Sequence, residues 1–210
     1  MDCRKIEKFL SRHLKFPHPL LEELYRLALE EKFPVVEPSV GNLIYFFVKL
    51  LRAKVIVEFG SGFGYSALWA ALACDWNCTV HCIDYQEKNR KRAMEIFKRL
   101  GVSEKIRYHV GEAETVFSQL GFEDESIDLV LFDHEKQNYS GSLDLVLPKL
   151  KRGGVIIADD VLWRGEVADP SRENLRLSSL RFFLKEISQR GDLVSFVCPL
   201  GDGVAVIQKL

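Results

Sequence analysis

Residues 55–66 read VIVEFGSGFGYS: a short apolar run, a turn that holds three glycines, and the first residues of a helix. Glycine lets the backbone bend sharply and approach a ligand closely. A strand, a glycine-rich turn and a helix in this order are typical of nucleotide-binding α/β proteins. The pattern alone leaves a second interpretation open, in which the glycines serve only close packing of the helix on the strand.

Short apolar runs alternate with helical stretches on both sides of this turn. The runs lie at 55–57, 80–83, 106–110, 127–132 and 155–158, and the helical stretches between them at 66–74, 88–100, 112–120 and 137–150. This alternation predicts an α/β fold with a doubly wound, mostly parallel sheet that has helices on both faces. Right-handed crossovers then restrict its topology.

The C-terminal part of the chain breaks the alternation. After a predicted helix at 172–190, the runs 193–198 and 204–207 flank the short loop 199–203. Two strands joined by so short a loop must be antiparallel. We therefore expect the parallel sheet to end in a C-terminal antiparallel hairpin.

Three helical patterns precede the first strand, at 4–15, 19–31 and 41–52. A chain of 210 residues suits one domain with a sizeable core. We expect a single domain over residues 1–210, in which the extra N-terminal helices (1–52) pack on a cofactor-binding and catalytic core (53–210).

The composition gives no sign of nucleic acid or membrane as a general partner. The net charge is −1, with 29 Lys and Arg against 30 Asp and Glu. No run of about 18 apolar residues is present, and the N-terminus is charged, so we expect neither a membrane span nor a secretory signal. Cations are clustered in 1–16 and 87–99, most simply as solvated helix faces.

Three of the five cysteines, Cys74, Cys78 and Cys82, recur every fourth residue from a helix end into a strand. This spacing is neither one helical face nor a CxxC pair. We expect buried reduced thiols and, with them, a cytoplasmic protein.

Two acids flank the glycine turn at positions that select the ligand. Glu58 ends the first strand, where it would repel a pyrophosphate but could hold an ammonium, and the glycines at 60, 62 and 64 lack the G-x-G-x-x-G spacing of dinucleotide sites. Asp84 ends the second strand, where a carboxylate can accept hydrogen bonds from ribose hydroxyls. Ser66, at the start of the helix, can bind a carboxylate with help from the helix N-terminus. S-adenosylmethionine has the amino-acid end, the ribose and the base that fit these groups.

Further acids follow the fourth and fifth strands. Asp133 comes directly after the fourth run, and Asp159 and Asp160 follow the fifth, so neighbouring parallel strands would bring them to one rim. Like charges held close need a compensating cation, and oxygen ligands suit Mg²⁺, with Ca²⁺ or Mn²⁺ as alternatives. Lys136 would have its pKa lowered by such a cation, which suits a general base. In the alternative interpretation, the aspartates cap a loop or helix and Lys136 is solvated.

These motifs resemble the cation-dependent O-methyltransferases, the family that includes catechol O-methyltransferase and the caffeoyl-CoA type. The resemblance covers roughly residues 35–210 in order, and it is carried by the segments 55–66, 81–85, 110–113, 133–139, 157–165 and 199–209. It implies an enzyme that depends on S-adenosylmethionine and a divalent metal, with the Rossmann-like fold of the class I methyltransferases.

The resemblance implies a role for each matching residue. Glu58 and Ser66 would hold the methionine end, Asp84 the ribose, and Ala113 and His134 the adenine, so that the cofactor contacts are Val36, Glu58, Gly60, Ser66, Asp84, Ala113, Asp133 and His134. Asp133, Asp159 and Asp160 would bind the metal, and Lys136 would remove the acceptor proton. The family usually has Asn where this chain has Asp160, and no residue matches the acid that the catechol enzyme places against the second hydroxyl. Trp163 stands where the family has a substrate-lining aromatic, although it could equally pack in the core.

The implied acceptor is a small vicinal-dihydroxy, catechol-like aromatic, and the implied assembly is a homodimer. An alternative acceptor is a hydroxylated uridine in tRNA, which members of this family are known to modify. An RNA enzyme would need a cationic track on the rim of the metal cleft, for which the candidates are Arg4, Lys5, Lys8, Arg12 and Lys15. A third alternative, a cofactor-binding protein without activity, is disfavoured because Asp133 and Lys136 are both present.

Overall fold

A computed structural model, which describes residues 9–10 and 12–210, contains a seven-stranded sheet with helices on both faces. Its helices are α1 (Pro19–Glu31), α2 (Pro38–Leu51), α3 (Tyr65–Ala73), α4 (Glu87–Arg99), α5 (Ala113–Leu120), α6 (Tyr139–Val146) and α7 (Leu175–Gln189). Its strands are β1 (Val55–Phe59), β2 (Thr79–Asp84), β3 (Ile106–Val110), β4 (Ile127–Phe132), β5 (Leu150–Ala158), β6 (Leu193–Cys198) and β7 (Val204–Lys209). Half of the predicted helix at 4–15 falls outside the described residues; of the other half, residues 9–10 are helical and residues 12–15 are not. Within the described part, no helix has the length and apolar character needed to cross a membrane.

The strand order is β3-β2-β1-β4-β5-β7-β6. β1 to β5 are parallel to one another, and β7 is antiparallel to both β5 and β6. The predicted doubly wound sheet and its C-terminal hairpin are therefore confirmed. The order reverses between β1 and β4, and in open α/β sheets a ligand crevice forms at the carboxyl ends of the strands at this point.

Two apolar clusters cover the two faces of the sheet. One joins residues of α1 to α4, including the buried Trp69 and Phe97, to the face of the sheet on which Ile56 lies. The other joins α5, α6 and α7, including Phe183, to the opposite face, on which Phe59 lies. Because neighbouring residues of a strand point to opposite faces, the central strands are apolar on both sides.

The observed boundaries differ from the predicted ones around β5. Helix α6 ends at Val146 with Leu147 as its C-cap, and Pro148, which has no backbone N–H, cannot extend the hydrogen-bond pattern of the helix. Leu150 then pairs with Ile127 before the register shifts, so β5 begins five residues earlier than the apolar run at 155–158 suggests. Two short helical turns between Trp163 and Ala168, separated by positive φ at Arg164 and Gly165, were not predicted.

The turn between α3 and β2 corrects the cysteine prediction. Cys74 and Cys78 are paired as a disulfide, with their Cα atoms 6.0 Å apart. The prediction of reduced thiols is therefore wrong for these two residues. The turn brings together two side chains whose spacing in the sequence did not indicate a pair. Cys82 is buried and free, as expected.

Candidate active site

The glycine turn follows β1 and passes directly against the end of β4. Gly60 has φ +90°, and a Cβ at this position would lie 2.3 Å from the backbone oxygen of Asp133. The backbone N–H groups of Gly60 and Ser61 donate to the Ile83 carbonyl at 2.9 and 3.1 Å. Glycine is thus required at position 60 both for its conformation and for this close approach.

Asp84, at the end of β2, holds the turn in place. Its Oδ2 accepts a hydrogen bond from the Gly62 N–H at 3.0 Å. Its Oδ1 accepts from the Gln86 N–H at 2.8 Å and from Asn89 Nδ2 at 3.0 Å, at the start of α4. An ionised carboxylate offers about four acceptor positions, so capacity remains for a ligand hydroxyl.

Glu58, near the end of β1, is a buried carboxylate whose charge is not compensated. It is fully buried, and neither of its oxygens has a hydrogen-bond partner among the described residues. Burial raises its pKa from the ordinary value of 4.5 to about 7, and the nearby hydroxyls of Ser66 and Ser61 offset only part of this effect. A positively charged ligand group would supply the missing compensation.

Lys136 lies between two of the predicted metal ligands. Its Nζ is 2.9 Å from Asp133 Oδ1 and 3.2 Å from Asp160 Oδ2. The side chain is buried, so the interpretation of Lys136 as a solvated residue is wrong. Burial alone would lower the pKa of Lys136, but the charge of Asp133, with that of Asp160, outweighs burial and raises the pKa above its usual range.

The predicted metal ligands are neighbours but do not form a metal centre in this arrangement. Asp159 is buried, its Oδ1 accepts a hydrogen bond from the Asp160 N–H at 2.9 Å, and burial together with the charges of Asp160 and Asp133 raises its pKa. In the part of the chain that is described, no three His, Cys, Asp or Glu side chains are grouped so that they could hold a metal ion. The ammonium of Lys136 pairs with both Asp133 and Asp160 in this arrangement.

A cavity of about 390 Å³ lies along the carboxyl ends of β1 to β4. Of the residues predicted from the sequence, those that line it are Gly60, Asp84, Ala113, Asp133, His134, Lys136, Asp160 and Trp163. The remaining four, Val36, Glu58, Ser66 and Asp159, are buried and are not among the described residues that line this cavity. The sequence thus identified much of the cavity wall together with residues that lie beneath it.

Several cavity residues were missed. Tyr85 and Glu114 line the wall and directly follow the predicted Asp84 and Ala113, so adjacency in the chain was a usable signal. Arg176, in the first turn of α7, gave no such signal; its guanidinium carbon lies 4.1 Å from the centre of the Trp163 ring. Trp163 both lines the cavity and packs against the core.

His134 belongs to a hydrogen-bonded group of three side chains. Its Nε2 lies 2.9 Å from Ser142 Oγ and 3.2 Å from Glu114 Oε1. The Ser142 hydroxyl also donates to Glu114 Oε1 at 2.8 Å. The hydrogen bond from His134 is the main reason that the pKa of Glu114 is lowered to about 2.

The described residues of the cationic track that an RNA acceptor would need do not line this cavity. Arg4, Lys5 and Lys8 lie outside the described residues. Arg12 and Lys15 are exposed and are not among the described residues that line the cavity. Of the cations clustered in 87–99, Lys88 lines it.

A family model described as O-methyltransferase matches residues 11–210. The chain belongs to this O-methyltransferase family. Caffeoyl-CoA O-methyltransferase from Medicago sativa is 28% identical over 205 residues, which are 92% of this chain and 83% of that protein. Flavonoid 3',5'-methyltransferase from Vitis vinifera is 30% identical over 231 aligned residues, with 100% of this chain and 96% of that protein covered. The predicted reaction class, O-methyl transfer, is therefore confirmed.

Solved O-methyltransferases share the fold of the chain. The O-methyltransferase from Bacillus cereus in complex with SAH matches with a TM-score of 0.85 at 23% identity, covering 98% of this chain and 97% of that one. The O-methyltransferase TomG from Streptomyces achromogenes, in complex with SAM, matches with a TM-score of 0.83 at 23% identity, covering 98% and 96%.

Proposed function

We propose that this O-methyltransferase transfers the methyl group of S-adenosylmethionine to one hydroxyl of a small vicinal-dihydroxy aromatic. The observation that carries the proposal is the position of Lys136. This buried cation lies between Asp133 and Asp160 and lines the same cavity as the glycine turn. A proton acceptor, anionic ligand groups and a nucleotide-binding turn therefore lie around one space large enough for a cofactor and a small acceptor.

The residues around β1 and β2 support S-adenosylmethionine as the methyl donor. Glu58 is a buried carboxylate without a hydrogen-bond partner in the described structure, and the donor carries an ammonium that would compensate it. Asp84 retains acceptor capacity for the ribose hydroxyls, and Ser66 lies in the first turn of α3, where a helix N-terminus favours a carboxylate. Glu58 itself is buried and is not among the described residues that line the cavity.

The acids beside Lys136 support a divalent cation. Asp133, Asp159 and Asp160 would hold it. These three carboxylates lie at adjacent strand ends, and among the ion pairs of the described residues Lys136 is the one cation paired with them, so their negative charge exceeds the positive charge beside them. Mg²⁺ fits this oxygen donor set best, with Ca²⁺ or Mn²⁺ as alternatives. When bound, such a cation supplies positive charge that lowers the pKa of an acceptor hydroxyl.

A divalent cation held by Asp133 and Asp160 would draw their charge away from Lys136 and lower its pKa, so that the neutral amine could take the proton of the reacting hydroxyl at Nζ. The oxygen then attacks the methyl carbon in line with the sulfur, which leaves with the electron pair of the broken bond as the neutral thioether. Much of the acceleration would come from holding the two reactants in this geometry. The two ion pairs of Lys136 fix its Nζ at the rim of the cavity before either reactant binds.

The far wall of the cavity favours an aromatic acceptor. Trp163 offers an aromatic surface, and the guanidinium of Arg176 lies over its ring. The names of the relatives, which specify caffeoyl-CoA and flavonoid substrates, favour a phenolic acceptor here. The tRNA alternative has no comparable support, since Arg12 and Lys15 do not line the cavity in the described structure.

A methyl-transfer screen tests the proposal. Labelled S-adenosylmethionine is incubated with the protein and, in separate reactions, a panel of catechols or tRNA that carries hydroxylated uridine, with and without a chelator. We expect label in a catechol and none in the RNA. Label in the RNA alone, or in no acceptor, would overturn the proposed acceptor class.

A further inference from the structure

Tyr108 connects β3 to the glycine turn that follows β1. Its hydroxyl donates a hydrogen bond to the backbone carbonyl of Gly62, although β2 lies between the two strands in the sheet. The side chain is half-buried, and its burial, together with the charge of Asp84, raises the pKa of the phenol. The hydroxyl therefore keeps its proton and acts as the donor in this bond.

Gly62 is also attached to the acid that is proposed to bind the ribose. Its N–H donates to Asp84 Oδ2 at 3.0 Å. The other oxygen of Asp84 accepts hydrogen bonds from the Gln86 N–H and from Asn89 Nδ2, so the carboxylate is fixed to the start of α4. Gly62 thus has its N–H attached to Asp84 and its carbonyl attached to Tyr108, and both Gly62 and Asp84 line the cavity.

These hydrogen bonds set the distance between two parts of the proposed cofactor site. The amino-acid end would bind near Glu58 and Ser66, which come before and after the turn, and the ribose would bind at Asp84. A ligand that reaches both parts gains the full affinity of both only when their separation matches its own dimensions. The role inferred for Tyr108 rests on this proposed placement of the cofactor.

We propose that Tyr108 is a positioning residue that holds the glycine turn at a fixed distance from Asp84, so that the amino-acid end and the ribose of the cofactor are bound together. It acts through Gly62 and is not itself among the described residues that line the cavity. A tyrosine that only packed β3 against the core would affect stability, but not the affinity that the amino-acid end adds.

The test compares S-adenosylhomocysteine with 5′-methylthioadenosine, which keeps the ribose and the base but lacks the amino-acid end, by calorimetric titration. We expect the unmodified protein to bind the first compound roughly 10 to 100 times more tightly, as for hydrogen bonds to charged groups. Tyr108→Phe keeps the ring and removes the hydroxyl. It should lower this ratio by about 3- to 10-fold, the effect of one neutral hydrogen bond, with most of the loss in S-adenosylhomocysteine. Tyr108→Leu, a second variant without the hydroxyl, should lower the ratio at least as far.

Tyr139→Phe is the matched control. Tyr139 is buried, and its hydroxyl lies 2.9 Å from the backbone carbonyl oxygens of Phe132 and Asp159, so the variant loses a buried hydrogen bond to backbone away from the glycine turn. It should keep the ratio of the unmodified protein.

A ratio unchanged in Tyr108→Phe, or lowered equally in Tyr139→Phe, would overturn the assignment of Tyr108 while leaving the cofactor in place. If the unmodified protein binds neither compound, or binds both equally, the proposed placement of the cofactor is wrong, and the assignment is wrong with it.

Discussion

Lys136 Nζ lies 2.9 Å from Asp133 Oδ1, so the candidate base and one candidate metal ligand form a single ion pair three residues apart in the chain. The two groups meet because Asp133 is the first residue after β4 and Lys136 begins a short 3-10 helix that follows it. Asp160, which follows the neighbouring strand β5, also pairs with Lys136, and its Oδ2 lies 3.2 Å from Nζ. The position of the base thus depends on two strands that the sheet holds side by side.

Replacing Lys136 tests its role as the base. Lys136→Gln removes the proton acceptor, and we expect the rate of methyl transfer to fall by about 10²- to 10⁴-fold, the usual contribution of general base catalysis. Binding of S-adenosylhomocysteine should persist. The matched control is Lys149→Gln, which removes a partly exposed lysine paired with Asp124 at 2.7 Å and should leave the rate unchanged. Equal rates for the unmodified protein and Lys136→Gln would exclude Lys136 as the base.

The raised pKa of Glu58 predicts a pH-dependent loss of stability in the protein without cofactor. Glu58 keeps its proton up to about pH 7 in the folded state, whereas the ordinary value is 4.5. Between these two values the unfolded chain loses its proton first, so this group lowers stability as the pH rises and costs on the order of 3 kcal/mol above pH 7. Glu58→Gln removes this cost. Its unfolding free energy in urea, relative to the unmodified protein, should therefore increase from pH 5 to pH 8, and a constant difference would contradict the burial argument.

The same group predicts how cofactor binding depends on pH. An ammonium stabilises ionised Glu58, so binding of S-adenosylhomocysteine below about pH 7 must release the proton that Glu58 carries. Affinity should fall by up to tenfold for each pH unit below 7 and level off above it. Calorimetry in buffers with different ionisation enthalpies measures the released proton directly. In Glu58→Gln, binding should be weaker, and this pH dependence should be absent.

Gly60 and Gly101 both have left-handed backbone, so alanine variants at the two positions distinguish the effect of backbone strain from that of steric conflict. Gly60→Ala would place a methyl group 2.3 Å from the Asp133 backbone, whereas Gly101→Ala, at φ +66°, meets nothing within 4 Å. Both variants carry about 1–2 kcal/mol of backbone strain. Only Gly60→Ala should lose considerably more stability and also lose cofactor binding, as measured by urea unfolding and calorimetry. Equal losses in the two variants would refute the importance of this close approach.

Arg176 should select acceptors by charge. Its guanidinium lines the cavity beside Trp163, where it can pair with an acidic group on the acceptor. For Arg176→Ala, KM should rise roughly tenfold for a carboxylated catechol, as for a lost charge-assisted hydrogen bond, and change little for catechol itself. Arg172→Ala, an exposed arginine that is not among the described residues lining the cavity, is the control for the change in net charge. A similar rise for both acceptors would exclude charge recognition by Arg176.

The parts of the molecule that could be predicted from the sequence are those that follow from local periodicity. The alternation of apolar runs and helices predicted the parallel strands, and the five-residue loop at 199–203 predicted the hairpin. Of the acids at strand ends, Asp84, Asp133 and Asp160 line one cavity, because parallel strands end at the same edge. Asp84 shows the limit of this reasoning, since its three hydrogen bonds within the chain were not visible in the spacing.

The parts that could not be predicted depend on contacts between distant segments. Arg176 reaches the cavity from α7, and no pattern near residue 176 marks it. The early start of β5 depends on the pairing of Leu150 with Ile127, which is a property of the sheet. The position of Lys136 between two carboxylates depends on side-chain packing after β4 and β5, which periodicity does not determine.

The central claim is that an acceptor with two adjacent hydroxyls is methylated beside Lys136 with the help of a divalent cation. The most direct measurement is the initial rate of label transfer to a catechol and to the phenol that lacks one of its two hydroxyls, each in Mg²⁺ and in excess chelator. We expect transfer to the catechol in Mg²⁺, its loss in chelator and its return when Mg²⁺ is restored, with little transfer to the phenol. Full activity in excess chelator, or equal rates on the two acceptors, would contradict it.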